Sequence, residues 1–236
     1  HEDGTVSAIT PEDGVRPMVR KRIVQDMDKA YFPAKTIVPS TEVVNDRVTL
    51  ELFRGCIRGC RFCQAGYVYR PVRNRSEDLL VRYGIEALRD SGYQEMTLSS
   101  LSTSDYKPLN GLCDALMDYC EANKVHLSLP SLRADNFSME LQQRLAKGRK
   151  VGLTFAPEAG SQRLRDVINK NLTEEDLLHS CRIAFEGGWS SVKLYFMLGL
   201  PTETDEDVLG IADLARKVYF TWRECTPNKA RGVRIT

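Results

Sequence analysis

The run VTLELFRGCIRGCRFC, residues 48–63, decides the fold. Val48 to Phe53 has the length and apolar, β-branched character of a buried strand, and Arg54-Gly55 then breaks the run. Three cysteines follow at once, at 56, 60 and 63. A strand that delivers a loop of unusual residues at its C-terminal end is the first half of a βα unit. Working downstream, short apolar runs predict further strands at Met96 to Leu101, Val125 to Leu129, Val151 to Ala156 and Val192 to Leu198, and the start of a sixth at Val233. Helical periods fill the gaps. Ser76 to Asp90 opens on an N-cap serine and two acids, and Leu109, Leu112, Leu116 and Cys120 form one apolar stripe. Thr173 to Asp176 matches a capping box ahead of Leu177, Cys181 and Ala184, with Gly187-Gly188 as the stop; Val208, Ile211, Ala215 and Val218 define the last helix. The expected fold is α/β: an incomplete parallel (β/α)6 barrel of the TIM type, truncated at the sixth strand.

Upstream of the first strand the alternation stops. Residues 1–46 are charged and hold four prolines, so they are expected to wrap the barrel or to link it to an upstream region, while residues 47–236 form the core domain. A chain that opens on His1 and ends in a beginning strand reads as a fragment of something longer. Its 236 residues, 42% of them hydrophobic, suffice for one substantial core. With 33 basic and 32 acidic side chains, no global charge argues for nucleic acid or a membrane. No apolar run approaches the roughly 18 residues of a membrane span, and no signal-peptide layout opens the chain, so a cytoplasmic protein is expected. Seven cysteines, three of them within eight positions, suit metal binding in a reducing compartment better than a disulfide framework.

In a parallel barrel the loops after the strands converge on one mouth. The unusual residues fall there: the cysteine loop after strand one, Ser99 to Tyr106 after strand two, Pro130-Ser-Leu-Arg133 after strand three, Pro157-Glu-Ala-Gly160 after strand four, and Gly199-Leu-Pro-Thr-Glu203 after strand five. The spacing C-x3-C-x2-C puts three thiolates on one short loop that Gly55 and Gly59 allow to fold tightly. A structural zinc site wants four protein ligands, and no fourth lies near; His126 falls in a strand and His179 in a helix. An iron–sulfur cluster fits best, with zinc and redox-active thiols as the alternatives.

The C-x3-C-x2-C loop after a first barrel strand, with Phe62 just before the third cysteine, resembles the signature of the radical S-adenosylmethionine (SAM) superfamily. The likeness extends through Arg58 to Gly66, Tyr69 to Val72, Ser131-Leu-Arg133, Pro157 to Ser161 and Lys193 to Thr202, over about residues 16 to 236. It implies a 4Fe-4S cluster on Cys56, Cys60 and Cys63 with one iron left open for SAM. It also implies reductive cleavage of SAM to a 5'-deoxyadenosyl radical, and a reductase, flavodoxin or ferredoxin as electron donor. Longer members of the subfamily carry an upstream cobalamin-binding domain, so cobalamin would enter through a domain absent from this chain. No Asp-x-His-x-x-Gly motif occurs here, and Asn45 stands where a Val-His-Asp-Arg run would have histidine.

The same resemblance gives Glu158 a role as carboxylate to the nucleoside's ribose or the amino group, against a plain helix N-terminal acid. It gives Gly199 and Pro201 a motif that packs adenine against backbone, against simple turn punctuation. Ser102, in a serine-rich stretch, would accept from the methionyl amino group or lie in a solvated loop. Arg133 would pair with a carboxylate of SAM or substrate, or lie on the surface. Lys193, counted with Phe62 among the residues that would bind the cofactor, points away from Val192 and Leu194, toward the barrel interior or the helices. Cys113, Cys120 and Cys181 read as small core residues. Between Leu52 and Ser76 lie six arginines (54, 58, 61, 70, 73 and 75) and no acid, interleaved with Phe62, Tyr67 and Tyr69. They would either bind RNA or a phosphate-bearing substrate, the less favoured reading, or offset cluster charge. The substrate, small or macromolecular, is not encoded legibly. Methylthio transfer onto tRNA or protein, and an electron-transfer module without turnover, are the rival functions.

Overall fold

The computed structural model describes residues 3–33, 35–129, 153–227 and 232–236. Six parallel strands follow one another in two three-stranded sheets. The first orders β1 (Val48–Glu51), β4 (Glu95–Ser99) and β5 (His126–Ser128); the second orders β6 (Leu153–Glu158), β7 (Ser191–Phe196) and β8 (Arg234–Ile235). Neighbours pair in register, Leu50 opposite Leu98 and Phe155 opposite Leu194. Sequential parallel neighbours joined by helices are the topology of a TIM-type barrel arc, as expected from the alternation. The barrel is not closed among the described residues.

Period-two burial fixes which face meets the helices. Val48 and Leu50, Met96 and Leu98, and Val192 and Leu194 are buried, while Thr49 and Lys193 between them are exposed. The first sheet packs on α2 (Glu77–Ser91) and α3 (Leu109–Asn123) through Leu80, Leu112 and Leu116; the second packs on α5 (Glu174–Glu186) and α6 (Asp205–Cys225) through Leu177, Leu214 and Trp222. Cys113, Cys120 and Cys181 lie inside these cores. Burial pushes the Cys181 thiol up to about 12 and that of Cys120 to about 11, so neither offers a thiolate near neutral pH.

Three local expectations change. Ser76 occupies the N-cap of α2, yet its side chain makes no capping bond; its N–H instead donates to Asp28 Oδ1 at 2.7 Å, tying the upstream segment to the helix start. The buried stripe of α6 runs through Asp207, Leu214, Val218 and Trp222, and Val208 faces outward, because Gly210 brings the helix backbone against Gly160 and sets its rotation. A two-residue antiparallel ribbon, β2 (Phe53–Arg54) with β3 (Arg73–Asn74), was not foreseen and closes the neck of the cysteine loop. The capping box at Thr173 and Asp176 forms as read.

The segment upstream of β1 is anchored on the core at Met27 and Phe32. Met27 is fully buried, its carbonyl accepts from buried Arg75 at 2.6 Å, and Phe32 stacks on Tyr83 with centroids 4.5 Å apart. No helix among the described residues is long and apolar enough to cross a membrane.

Candidate functional site

The cysteine loop is held from three sides. Gly55, at φ 101°, runs so close to the returning chain that a Cβ would lie 2.6 Å from Pro71 O, so only glycine fits. On that side the Arg70 guanidinium donates to the carbonyls of Cys56, Ile57 and Arg58. On a second side Arg58 pairs through both nitrogens with Asp105, in the single turn of 3-10 helix Thr103–Asp105 that follows β4. On the third, Asn169 Nδ2 donates to Gly59 O at 2.8 Å and Arg61 N donates to Ile168 O at 2.9 Å. Cys60 is buried; Cys56 and Cys63 are partly exposed.

Among the described residues no three donor side chains converge on a single point as one metal ion requires. In a cubane held by three cysteines each thiolate binds a different iron, so the three thiols need not share one point, and their chemistry on one short loop suits such a cluster. The bent loop, braced by a bidentate ion pair and three carbonyl contacts from Arg70, fits such a group.

Glu158 ends β6 at φ 69°, a left-handed backbone that costs a glutamate on the order of 1 kcal/mol or more and marks a constrained position. Its Oε1 meets Lys170 Nζ at 2.9 Å, and the same ammonium lies 5.8 Å from the centre of the Phe62 ring. Glu158 therefore reaches the cysteine loop through Lys170. It is not a helix-capping acid: Ser161 caps α4 (Gln162–Val167), accepting from Leu164 N at 3.1 Å. Lys170 was missed in the sequence. The signal for it is Asn-Lys-Asn, since Asn169 and Asn171 both take positive φ and turn the chain sharply around the lysine.

The Gly199 loop joins the same rim. Gly199 takes φ 78° and donates its N–H to Glu203 Oε2 at 2.6 Å; Leu200 packs with Ala159, Leu164 and Ile168; Thr202 O accepts from Arg163 at 2.8 Å. Open space lies where a Cβ of Gly199 would project, and Pro201 is exposed beside it. Asp207, buried, accepts from Ser161, Arg163 and Thr204, which hold its carboxyl well below the usual carboxylate range.

The serine-rich stretch is not a solvated loop. Ser102, Thr103 and Ser104 are buried, and the Ser102 hydroxyl has no partner among the described residues. Lys193 stands apart from the rim. It lies opposite Thr154, four residues before Glu158, or about 13 Å along the strand, on the face away from the helices, with its ammonium 5.8 Å from the Tyr195 ring centre. Arg133 falls outside the described residues.

Comparison with known proteins identifies the family and the fold. Residues 50–215 match the Radical SAM superfamily. An uncharacterised protein of Methanocaldococcus jannaschii, MJ0966, is 37% identical over 225 residues, covering 92% of this chain and 49% of its own length. A tRNA-2-methylthio-N(6)-dimethylallyladenosine synthase of Thermotoga petrophila is 29% identical over 176 residues, covering 70% of this chain and 39% of its own. The chain thus spans about half, or less, of these relatives. Among solved structures, the radical SAM methyltransferase TsrM of Kitasatospora setae, bound to cobalamin and a [4Fe-4S] cluster, superposes with a TM-score of 0.60 at 17% identity, over 73% of this chain and 32% of that one. The cobalamin-dependent enzyme OxsB gives 0.57 at 15% identity, over 72% and 26%. These two likenesses speak for the fold. The family match over most of the barrel, together with the braced three-cysteine loop, shows that the chain belongs to the radical SAM superfamily.

Proposed function

We propose that this chain is the catalytic core of a radical SAM enzyme, with the cluster on Cys56, Cys60 and Cys63. The observation that carries the reading is the contact chain from Glu158 through Lys170 to Phe62, which joins the end of β6 to the cysteine loop. Cys56, Cys60 and Cys63 would hold a 4Fe-4S cluster, which when bound would supply the electron for reductive cleavage of the SAM sulfonium to methionine and a 5'-deoxyadenosyl radical.

The chain's own residues orient and enclose. Lys170, set between Glu158 and the Phe62 ring, puts a cation on the rim for the methionyl carboxylate of SAM. Glu158 accepts from the ribose hydroxyls or the amino group, and its fixed φ keeps that carboxylate aimed at the rim. Gly199, with no side chain over open space, leaves a flat backbone surface for adenine, and Pro201 edges it. The buried Ser102 hydroxyl supplies a further acceptor beside the loop after a small rearrangement, and Arg133 a further cation. Lys193, deeper along the sheet, faces substrate and not SAM. Arg58 and Arg70 hold the loop backbone in place, and their charge opposes the thiolates'. Electrons come from a flavodoxin, ferredoxin or dedicated reductase. Cobalamin, bound by TsrM and OxsB, would require a further domain.

Electron paramagnetic resonance of the reduced, reconstituted protein tests this reading. SAM should shift the cluster signal of the parent, and the shift should weaken in Glu158→Gln and Lys170→Met. A cluster signal indifferent to saturating SAM would leave only the electron-transfer module.

A further inference from the structure

The six arginines between Leu52 and Ser76 are not alone. A second acid-free stretch, residues 14–25, carries Arg16, Arg20, Lys21 and Arg22, and the fold lays it beside the first. Lys21 Nζ donates to Val68 O at 2.5 Å and Arg70 O at 2.6 Å, and Arg73 donates to Val24 O at 3.5 Å. Ten cationic side chains and no carboxylate thus come from two neighbouring segments.

Part of that charge is already matched. Arg54 and Arg75 approach Glu51, and Arg58 is paired with Asp105. The rest is not: among the described residues Lys21, Arg61, Arg70 and Arg73 donate only to backbone carbonyls, and Arg16, Arg20 and Arg22 make no ion pair. Hydrogen bonds to carbonyls orient a cation without neutralising it. Cluster thiolates do not account for it all, because Arg20 and Arg22 lie on the outer segment, beyond the loop's own bracing residues.

Aromatic rings interrupt the positive surface. Tyr67 is 71% and Tyr69 52% exposed, next to the point where Lys21 pins the outer segment. α1 (Ala65–Val68) starts two residues after Cys63, so Tyr67 stands about one helical turn, roughly 6 Å of rise, from the cluster loop. Uncompensated guanidinium groups around exposed rings suit phosphates and unstacked bases; a membrane surface would need a broad apolar face, and this helix has four residues.

We propose that this surface binds single-stranded RNA, phosphates on Arg20 and Arg22, bases stacked on Tyr67 and Tyr69, and so delivers a nucleotide to the radical site. The inference deepens the function proposed above by naming a substrate class, and rests on it only for the chemistry.

The test is fluorescence anisotropy of the cluster-loaded protein with a fluorescein-labelled mixed-sequence RNA single strand, the matching RNA duplex, and phosphatidylglycerol vesicles as competitor. The parent should bind the single strand more tightly than the duplex. Tyr67→Ala/Tyr69→Ala should weaken binding by about 10-fold or more, with Tyr67→Phe/Tyr69→Phe near parent. Arg20→Gln/Arg22→Gln should lower the slope of log affinity against log salt by about 1.4. Substrate-free 5'-deoxyadenosine formation, measured on the same samples, should be unchanged in all of these; its absence from the parent would refute the radical function separately from RNA binding. Equal affinity for duplex, effective competition by vesicles, or aromatic and arginine variants that bind within about two-fold of the parent would each overturn the proposal.

Discussion

Replacing Gly160 by alanine should damage the molecule far more than the same change at Gly210, although the two glycines touch. A Cβ at position 160 would lie 2.5 Å from Asp207 O and 2.6 Å from the Gly210 carbonyl carbon, with Ile211 N closer still. Ordinary contact needs about 3.5 Å, so α6 must retreat by about 1 Å. All three obstacles are backbone, and no side chain can rotate away. Overpacking of this kind costs about 2–3 kcal/mol, which lowers the melting temperature of a domain this size by roughly 5–10 °C. At Gly210 the new Cβ meets Gly160 C at 3.0 Å and nothing else under 3.3 Å. The gain in helix propensity there, about 1 kcal/mol, offsets most of the strain. Thermal unfolding followed by far-ultraviolet circular dichroism checks both. A Gly160→Ala protein melting within about 2 °C of the parent, or a larger loss in Gly210→Ala, would refute the packing argument.

Other outcomes follow from single contacts. Lys170→Met should weaken SAM binding by about 10-fold or more, as loss of one charge-assisted hydrogen bond requires, while iron content stays at the parent level and Lys170→Arg recovers part of the affinity. Arg58→Ala and Asp105→Asn should each speed loss of the cluster under a chelator, and the double variant should lose it less quickly than the two single effects multiplied, because both changes act on the same ion pair. The Asp207 carboxyl is depressed in the folded state, so its contribution is present above its unfolded value of about 4 and is lost only as pH falls toward the folded one. The stability gap between the parent and Asp207→Asn should therefore be flat from about pH 8 to 5 and narrow below about pH 4. In the native apoprotein, an alkylating reagent near pH 8 should label Cys56 and Cys63 well before Cys181, whose thiol burial holds near 12.

The barrel was legible because its information is periodic. Val48 and Leu50, Met96 and Leu98, and Val192 and Leu194 declare alternate-face burial, the members of each pair two residues apart. The cysteine loop was legible because its residue types and spacing carry the chemistry themselves. What was not legible arises from contacts between segments far apart in the chain. Lys170 meets Glu158 only because Asn169 and Asn171 reverse the backbone, and Asp105 finds Arg58 across 47 positions. The same limit explains α6, where an apolar period suggested Val208 but the approach of Gly210 to Gly160 turned that residue outward. Ser102 could be read either as an acceptor or as a solvated residue, since composition does not say whether a polar loop is covered; it is buried. The second basic stretch gained meaning only when Lys21 was seen against Val68.

The central claim is that Cys56, Cys60 and Cys63 hold a cluster that cleaves SAM. Anaerobic iron–sulfur reconstitution, dithionite reduction with SAM and chromatography for 5'-deoxyadenosine test it most directly, alongside a variant with all three cysteines changed to alanine. The parent should form the nucleoside and the variant should form none. A parent that assembles the cluster, binds SAM and yields no 5'-deoxyadenosine would contradict the account.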